Sequence, residues 1–205
     1  MSGISPPSIS RGCSMAESLS ANIAMLLRVV DRLAPLLDRF VFLGGAVTEL
    51  FMTVPGAARP RQTKDVDIVV DVMNLGDYSE TLREQLVALG LQEDTSEGAP
   101  VCRWLLDDLI IDIMPTRGEI LGFSAAWYPL AYATATPITL PGGPTIRLVT
   151  PACFLATKLA AFGDRGFRNP MASHDLEDLI AVIDGRREIV ADLAAATPDL
   201  RAYVA

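Results

Sequence analysis

Two aspartates separated by one residue, Asp65 and Asp67, open the run Asp65-Val66-Asp67-Ile68-Val69-Val70-Asp71-Val72, and this run carries most of the chain's chemical promise. β-Branched residues dominate it, which predicts a strand. Side chains at i and i+2 leave the same face of a strand, so the two carboxylates project side by side. Like charges that close are costly unless a cation stands between them. Mg²⁺, or Mn²⁺ in its place, suits such a pair, because hard cations combine carboxylate oxygens with the phosphate oxygens of a substrate. Asp112 interrupts the apolar run Leu109-Ile110-Ile111-Asp112-Ile113-Met114 and is suited to be the third metal-binding acid, on a neighbouring strand. A plainer reading makes Asp65, Asp67 and Asp71 the solvated face of an edge strand, since short acidic patterns are common. It leaves Asp112 unexplained, because charged side chains are seldom buried without a partner. Asp107 and Asp108 read as turn residues.

Gly44-Gly45 follows the short apolar run Phe40–Leu43 and precedes a helical pattern over Ala46–Met52. A glycine turn there presents backbone N–H groups, at the positive end of a helix, to a phosphate, and Thr48 adds a hydroxyl. Glycines also serve ordinary turns. The lysines are Lys64 and Lys158 alone, all other positive side chains being arginine. Lys158 lies among apolar helical neighbours, where an ammonium either snorkels to water or reaches into a cleft. Asp175 and Asp178 share one helical face, with Arg165 and Arg168 as candidate phosphate contacts in the loop before them. His174 reads as a helix-start residue rather than a base.

The elements that must position these groups are legible from periodicity. Apolar residues recur at helical steps from Ala16 to about Leu37, Tyr78–Leu89 is a helix closed by Gly90, and Val101–Leu106 with Leu109–Met114 form a hairpin. Ile138–Leu140 and Thr145–Val149 predict a second strand pair. From Pro151 the pattern turns helical: a helix starting after Thr150 continues through Phe154–Phe162, a second spans Leu176–Ile183, and weaker helices cover Glu188–Ala195 and Asp199–Val204. This predicts an α+β chain, a small mixed sheet flanked by helices, with a core over 16–150 and a helical C-terminal part over 151–205.

The chain has 205 residues, half of them hydrophobic, enough for one substantial core. Residues 1–15, rich in Ser, Pro and Gly without an apolar stretch, read as a flexible tail, and Met15 opens the part that looks foldable. No apolar run reaches the roughly 18 residues that span a bilayer, so no membrane association is expected. The odd and scattered Cys13, Cys102 and Cys153 fit reduced thiols in a cytoplasm better than a disulfide frame. A formal charge of −8 argues against a surface that coats nucleic acid.

Read in order, the segments FLGGAVTELF, RQTKDVDIVV, LIIDIMPT, ATKLAAFGDR and HDLEDL resemble the nucleotidyltransferase superfamily, and within it the AbiEii/MenT-like toxin branch, over about Phe40–Leu179. The resemblance implies that Gly44, Gly45, Arg61 and Thr63 belong to the nucleotide site and that Asp65, Asp67 and Asp112 hold the metal. It further implies that Lys158 meets the nucleotide phosphates and that Asp175 is functionally important, with His174 standing where a basic residue is usual. The activity it implies is transfer of a nucleoside monophosphate from an NTP to an acceptor hydroxyl. The acceptor would be transfer RNA, with a cognate antitoxin as partner. Two other readings stay open: transfer to a small molecule of the aminoglycoside kind, and a non-catalytic scaffold of the same fold.

Overall fold

The computed structural model describes residues 19–120, 126–166 and 169–205. Its centre is a seven-stranded mixed sheet of order β3-β4-β5-β2-β1-β7-β6. The strands are β1 (Phe40–Leu43), β2 (Asp65–Val70), β3 (Gln92–Glu93), β4 (Arg103–Leu106), β5 (Leu109–Pro115), β6 (Thr136–Thr139) and β7 (Thr145–Leu148). β2 runs parallel to β5 and antiparallel to β1, while β4 with β5 and β6 with β7 form the two predicted hairpins. The α+β expectation of a mixed sheet flanked by helices is thus what the chain adopts.

Burial explains why β2 takes its register. Val66, Ile68 and Val70 are fully buried, whereas Asp65 and Asp67 are only partly so. A slip by one residue would turn the acids into the core and the three apolar side chains out, forfeiting roughly 1.5–3 kcal/mol for each of the latter.

Helix α1 (Ala21–Arg32) begins at Ser20, whose hydroxyl accepts the Ile23 N–H at 3.2 Å. It buries Ile23, Leu26, Val29 and Val30 and ends earlier than periodicity predicts. Pro35, in the first turn of the following 3-10 helix Ala34–Arg39, lacks the N–H that a continuing α-helix requires. The start predicted at Ala16 lies outside the described residues. Gly45–Phe51 is likewise a 3-10 helix where an α-helix over Ala46–Met52 is expected. Asp77–Leu82 winds with π geometry into α2 (Arg83–Ala88), and Gly90 closes it at φ +86°.

α3 (Tyr128–Thr134) and the short β3 were not anticipated. Thr150 caps α4 (Pro151–Ala161) and Ser173 caps α5 (His174–Gly185), so His174 is indeed a helix-start residue. α6 (Ile189–Ala195) and α7 (Pro198–Val204) complete the chain and pack on α4. Phe154 of α4 packs against Phe51 with ring centroids 4.9 Å apart and ring planes tilted by 54°, tying the helical part to the segment after the glycine turn. No helix among the described residues is long and apolar enough to cross a membrane. Cys102 and Cys153 are buried free thiols.

Candidate functional site

The parallel pairing of β2 with β5 sets Asp67 opposite Asp112. Neighbouring residues in register leave a sheet on the same side, and the i, i+2 spacing brings Asp65 to that side as well. All three line one cleft of about 1110 Å³. Gly45, Arg61 and Thr63 reach the same cleft from the turn and the loop before β2, and Lys158 and Asp175 reach it from α4 and α5. Residues far apart in the chain, each proposed from sequence, therefore meet in one place.

The glycine turn is shaped around Asp67. Gly44 has φ +75°, and a Cβ built on it would stand 1.8 Å from Asp67 Oδ2. Only glycine satisfies both the backbone conformation and the closeness of the carboxylate. Gly45 is tight as well, its would-be Cβ lying 3.0 Å from Arg61 Nη2.

Thr48 departs from expectation. It is fully buried, and its hydroxyl turns back toward the Gly44 carbonyl at 3.5 Å instead of facing the cleft. A 3-10 helix advances its side chains three to a turn, so position 48 falls under the turn and not at its mouth.

The loop before β2 is held by a residue that sequence reasoning missed. Asn22 of α1 is 4 % exposed; its amide nitrogen donates to the Arg61 carbonyl at 2.9 Å, and its amide oxygen accepts the Thr63 N–H at 3.0 Å. One side chain thus satisfies two backbone groups of the loop. The Thr63 hydroxyl then donates to Asp65 Oδ1 at 2.6 Å, fixing the first acid of the pair. The only hint in the sequence is an amide inside the apolar stripe of α1, beside Ile23, where a cap or solvated position is the ordinary reading.

On the helical wall, Lys158 and three acidic or basic partners form a buried ionic chain. Lys158 Nζ stands 3.2 Å from Asp175 Oδ1 and 2.7 Å from Asp178 Oδ2. Arg61 Nη2 donates to Asp178 Oδ2 at 3.2 Å, while Arg61 Nε lies 3.2 Å from Oδ1 without hydrogen-bond alignment. Burial works against the Lys158 ammonium, but Asp178, Asp67 and Asp175 outweigh it and hold its pKa above the ordinary lysine value. Lys158 is therefore charged and pinned in the wall and does not snorkel to water.

Arg103 is the second residue missed. It sits opposite Asp112 in the β4–β5 hairpin, and its Nε and Nη2 donate to the two carboxylate oxygens at 2.9 and 2.8 Å. The two-residue turn at Asp107-Asp108 dictates this pairing, so the hairpin already contained the signal. The consequence bears on metal binding: Asp65 and Asp67 offer hard oxygen donors at strand spacing, whereas both oxygens of Asp112 are engaged by a guanidinium. Among the described residues no group of three or more His, Cys, Asp or Glu side chains is gathered to hold a metal ion. The acid pair fits a hard divalent cation, and Asp112, in the same cleft, stands paired with Arg103. Burial first and then the Asp112 charge push the thiol of Cys102, which lines the same cleft, up to about 11.

Of the remaining sequence candidates, Asp71 lies past the end of β2 and accepts the Thr116 hydroxyl at 2.7 Å. Arg168 and the side chain of Arg165 lie outside the described residues.

No protein-family profile matches the chain, and no curated protein does. Solved structures do share the fold. One is the crystal structure of an antigenic nucleotidyltransferase-like protein from Paracoccidioides brasiliensis, 22% identical, with 89% of this chain and 91% of that chain covered at a TM-score of 0.53. Another is the solution structure of the antibiotic-resistance factor ANT(2'')-Ia, 12% identical, with 88% and 89% covered at a TM-score of 0.51. At such identities the likeness establishes the fold, that of nucleotidyltransferase-like proteins, and the chemistry must be argued from the residues.

Proposed function

We propose that the chain is a nucleotidyltransferase that moves a nucleoside monophosphate from an NTP to an acceptor hydroxyl. The observation that carries this reading is the single cleft in which Asp65 and Asp67, beside the Arg103–Asp112 pair, face Lys158, Arg61 and Gly45. A nucleoside triphosphate needs both sides of such a cleft: acids to hold its cation, and cationic and N–H donors to hold its phosphates.

In the reaction the acceptor oxygen forms a bond to the α-phosphorus as the bond from that phosphorus to the bridging oxygen breaks. Pyrophosphate leaves, and the hydroxyl proton passes to a cleft carboxylate and on to water. Mg²⁺, or Mn²⁺, held by Asp65 and Asp67 would neutralise triphosphate charge. Thr63 keeps the Asp65 carboxylate in place, and Gly44 leaves room for that of Asp67. Lys158 and Arg61 supply positive charge from the opposite wall, organised before substrate arrives by Asp175 and Asp178.

For the acceptor, the resemblance to AbiEii/MenT-like toxins supports transfer RNA, with an antitoxin as partner. A second reading, a small cationic acceptor of the aminoglycoside kind, is favoured by the formal charge of −8, which repels a polyanion and attracts a polycation. A non-catalytic scaffold is the third reading, and it predicts no NTP binding in the presence of Mg²⁺.

The test is incubation of the purified protein with each α-labelled NTP and Mg²⁺, with total RNA in one arm and aminoglycosides in the other. Label is expected in one acceptor class and absent with Asp65→Asn. An Asp65→Asn protein that transfers label at the wild-type rate refutes the assignment.

A further inference from the structure

Asp112 is a strand residue 8 % exposed, and a carboxylate so placed requires a permanent positive partner. The hairpin register provides one directly across from it. Arg103 engages both oxygens in a parallel fork, at 2.9 and 2.8 Å, the geometry in which a guanidinium binds carboxylate most firmly. Because the turn at Asp107-Asp108 sets the pairing Leu106↔Leu109 through Arg103↔Asp112, the arginine is delivered by the backbone itself. Arg103 also lines the cleft beside Asp65 and Asp67. Its pKa is raised above that of an ordinary arginine by the Asp112 hydrogen bond, with Asp65 adding to the effect.

A divalent ion approaching Asp112 must therefore displace a guanidinium that is already charged, aligned and held by the sheet. Resting on the reading of Asp65 and Asp67 as the cation site, we infer that Arg103 is the resident counter-cation of Asp112, so that the chain binds one divalent ion and Arg103 excludes a second. Arg103 supplies a fixed positive charge to the acid face, and Asp112 acts by positioning that charge beside the phosphates instead of ligating metal.

Mn²⁺ alone is the probe, added to the full chain without nucleotide, with free Mn²⁺ followed by electron paramagnetic resonance. Wild type is expected to take up one Mn²⁺ per chain and Asp67→Asn none. Arg103→Met is expected to take up two, and the double variant Arg103→Met/Asp112→Asn one again. Should Arg103→Met be unfolded without metal, Mn²⁺ is expected to restore its circular dichroism; failure to do so overturns the inference. A stoichiometry of two in wild type, or of one in Arg103→Met, overturns it as well while leaving the acid pair as a cation site. A wild type that takes up no Mn²⁺ overturns both this inference and the cation reading of Asp65 and Asp67.

Discussion

Asp67 and Asp112 are register partners across the parallel β2–β5 pair, and both line the cleft that Lys158 enters from α4. Two carboxylates from different strands seldom share a face without something to balance them. Here the balance comes from three directions: Arg103 along the sheet, Lys158 from the helical wall, and, in the functional reading, a cation on the Asp65–Asp67 pair. The hairpin and the α4–α5 contact contribute by the charge they bring to that one place, and the glycine turn by the room it leaves the Asp67 carboxylate.

Gly44→Ala is expected to damage both stability and the site. The new methyl meets Asp67 Oδ2 at 1.8 Å, and the backbone stays at φ +75°, so either the turn or the carboxylate must move. Such strain costs about 1–3 kcal/mol. Chemical denaturation measures the loss, and NTP binding is expected to fall with it; an alanine protein of wild-type stability would show that the turn is not confined as described.

Asn22→Ala leaves the Arg61 carbonyl and the Thr63 N–H without their shared partner. Orphaning buried polar groups of this kind costs about 1–3 kcal/mol. Freed from the clamp, the loop is also expected to let Asp65 wander, raising KM for NTP. Denaturant titration and initial-rate kinetics check the two halves separately, and an unchanged KM would confine Asn22 to stability.

Lys158→Met removes the cation shared by Asp175 and Asp178. Breaking a buried pair from one side costs about 3–5 kcal/mol, because the remaining charges are left uncompensated. The pH dependence follows from the sign of the shift. The folded-state pKa of Lys158 lies above its unfolded value of 10.5, so its stabilisation is complete below pH 10.5 and is lost as pH rises through the folded value. Stability measured across the alkaline range is expected to decline less steeply in Lys158→Met than in wild type; parallel declines would contradict the assignment.

Much of this site can be read from residue types and spacing, and the reasons for the exceptions are physical. Strand alternation suffices to pair Asp65 with Asp67, and an acid amid isoleucines suffices to mark Asp112. The Gly44 turn is visible because glycine is required there. Asn22 escapes notice because its role depends on α1 crossing the loop before β2, a tertiary contact that no local pattern encodes. Arg103 escapes for a different reason: its position opposite Asp112 follows from counting back from the Asp107-Asp108 turn, an arithmetic that strand assignment alone does not prompt. Thr48 misleads because the segment after Gly44 winds as a 3-10 helix, which changes the face that each residue presents. The extent of α1 and the two unforeseen elements, β3 and α3, are likewise set by packing that short apolar patterns leave undetermined.

In the proposed function, the Asp65–Asp67 pair, the Gly44-Gly45 turn and Lys158 together form one cation–polyphosphate site. A crystal structure of the protein with Mg²⁺ and a non-hydrolysable NTP analogue tests it most directly. A cation is expected on the Asp65 and Asp67 carboxylates, with a polyphosphate running between Gly45 and Lys158. An analogue bound elsewhere, or a polyphosphate in the cleft with no cation at Asp65 and Asp67, would contradict it.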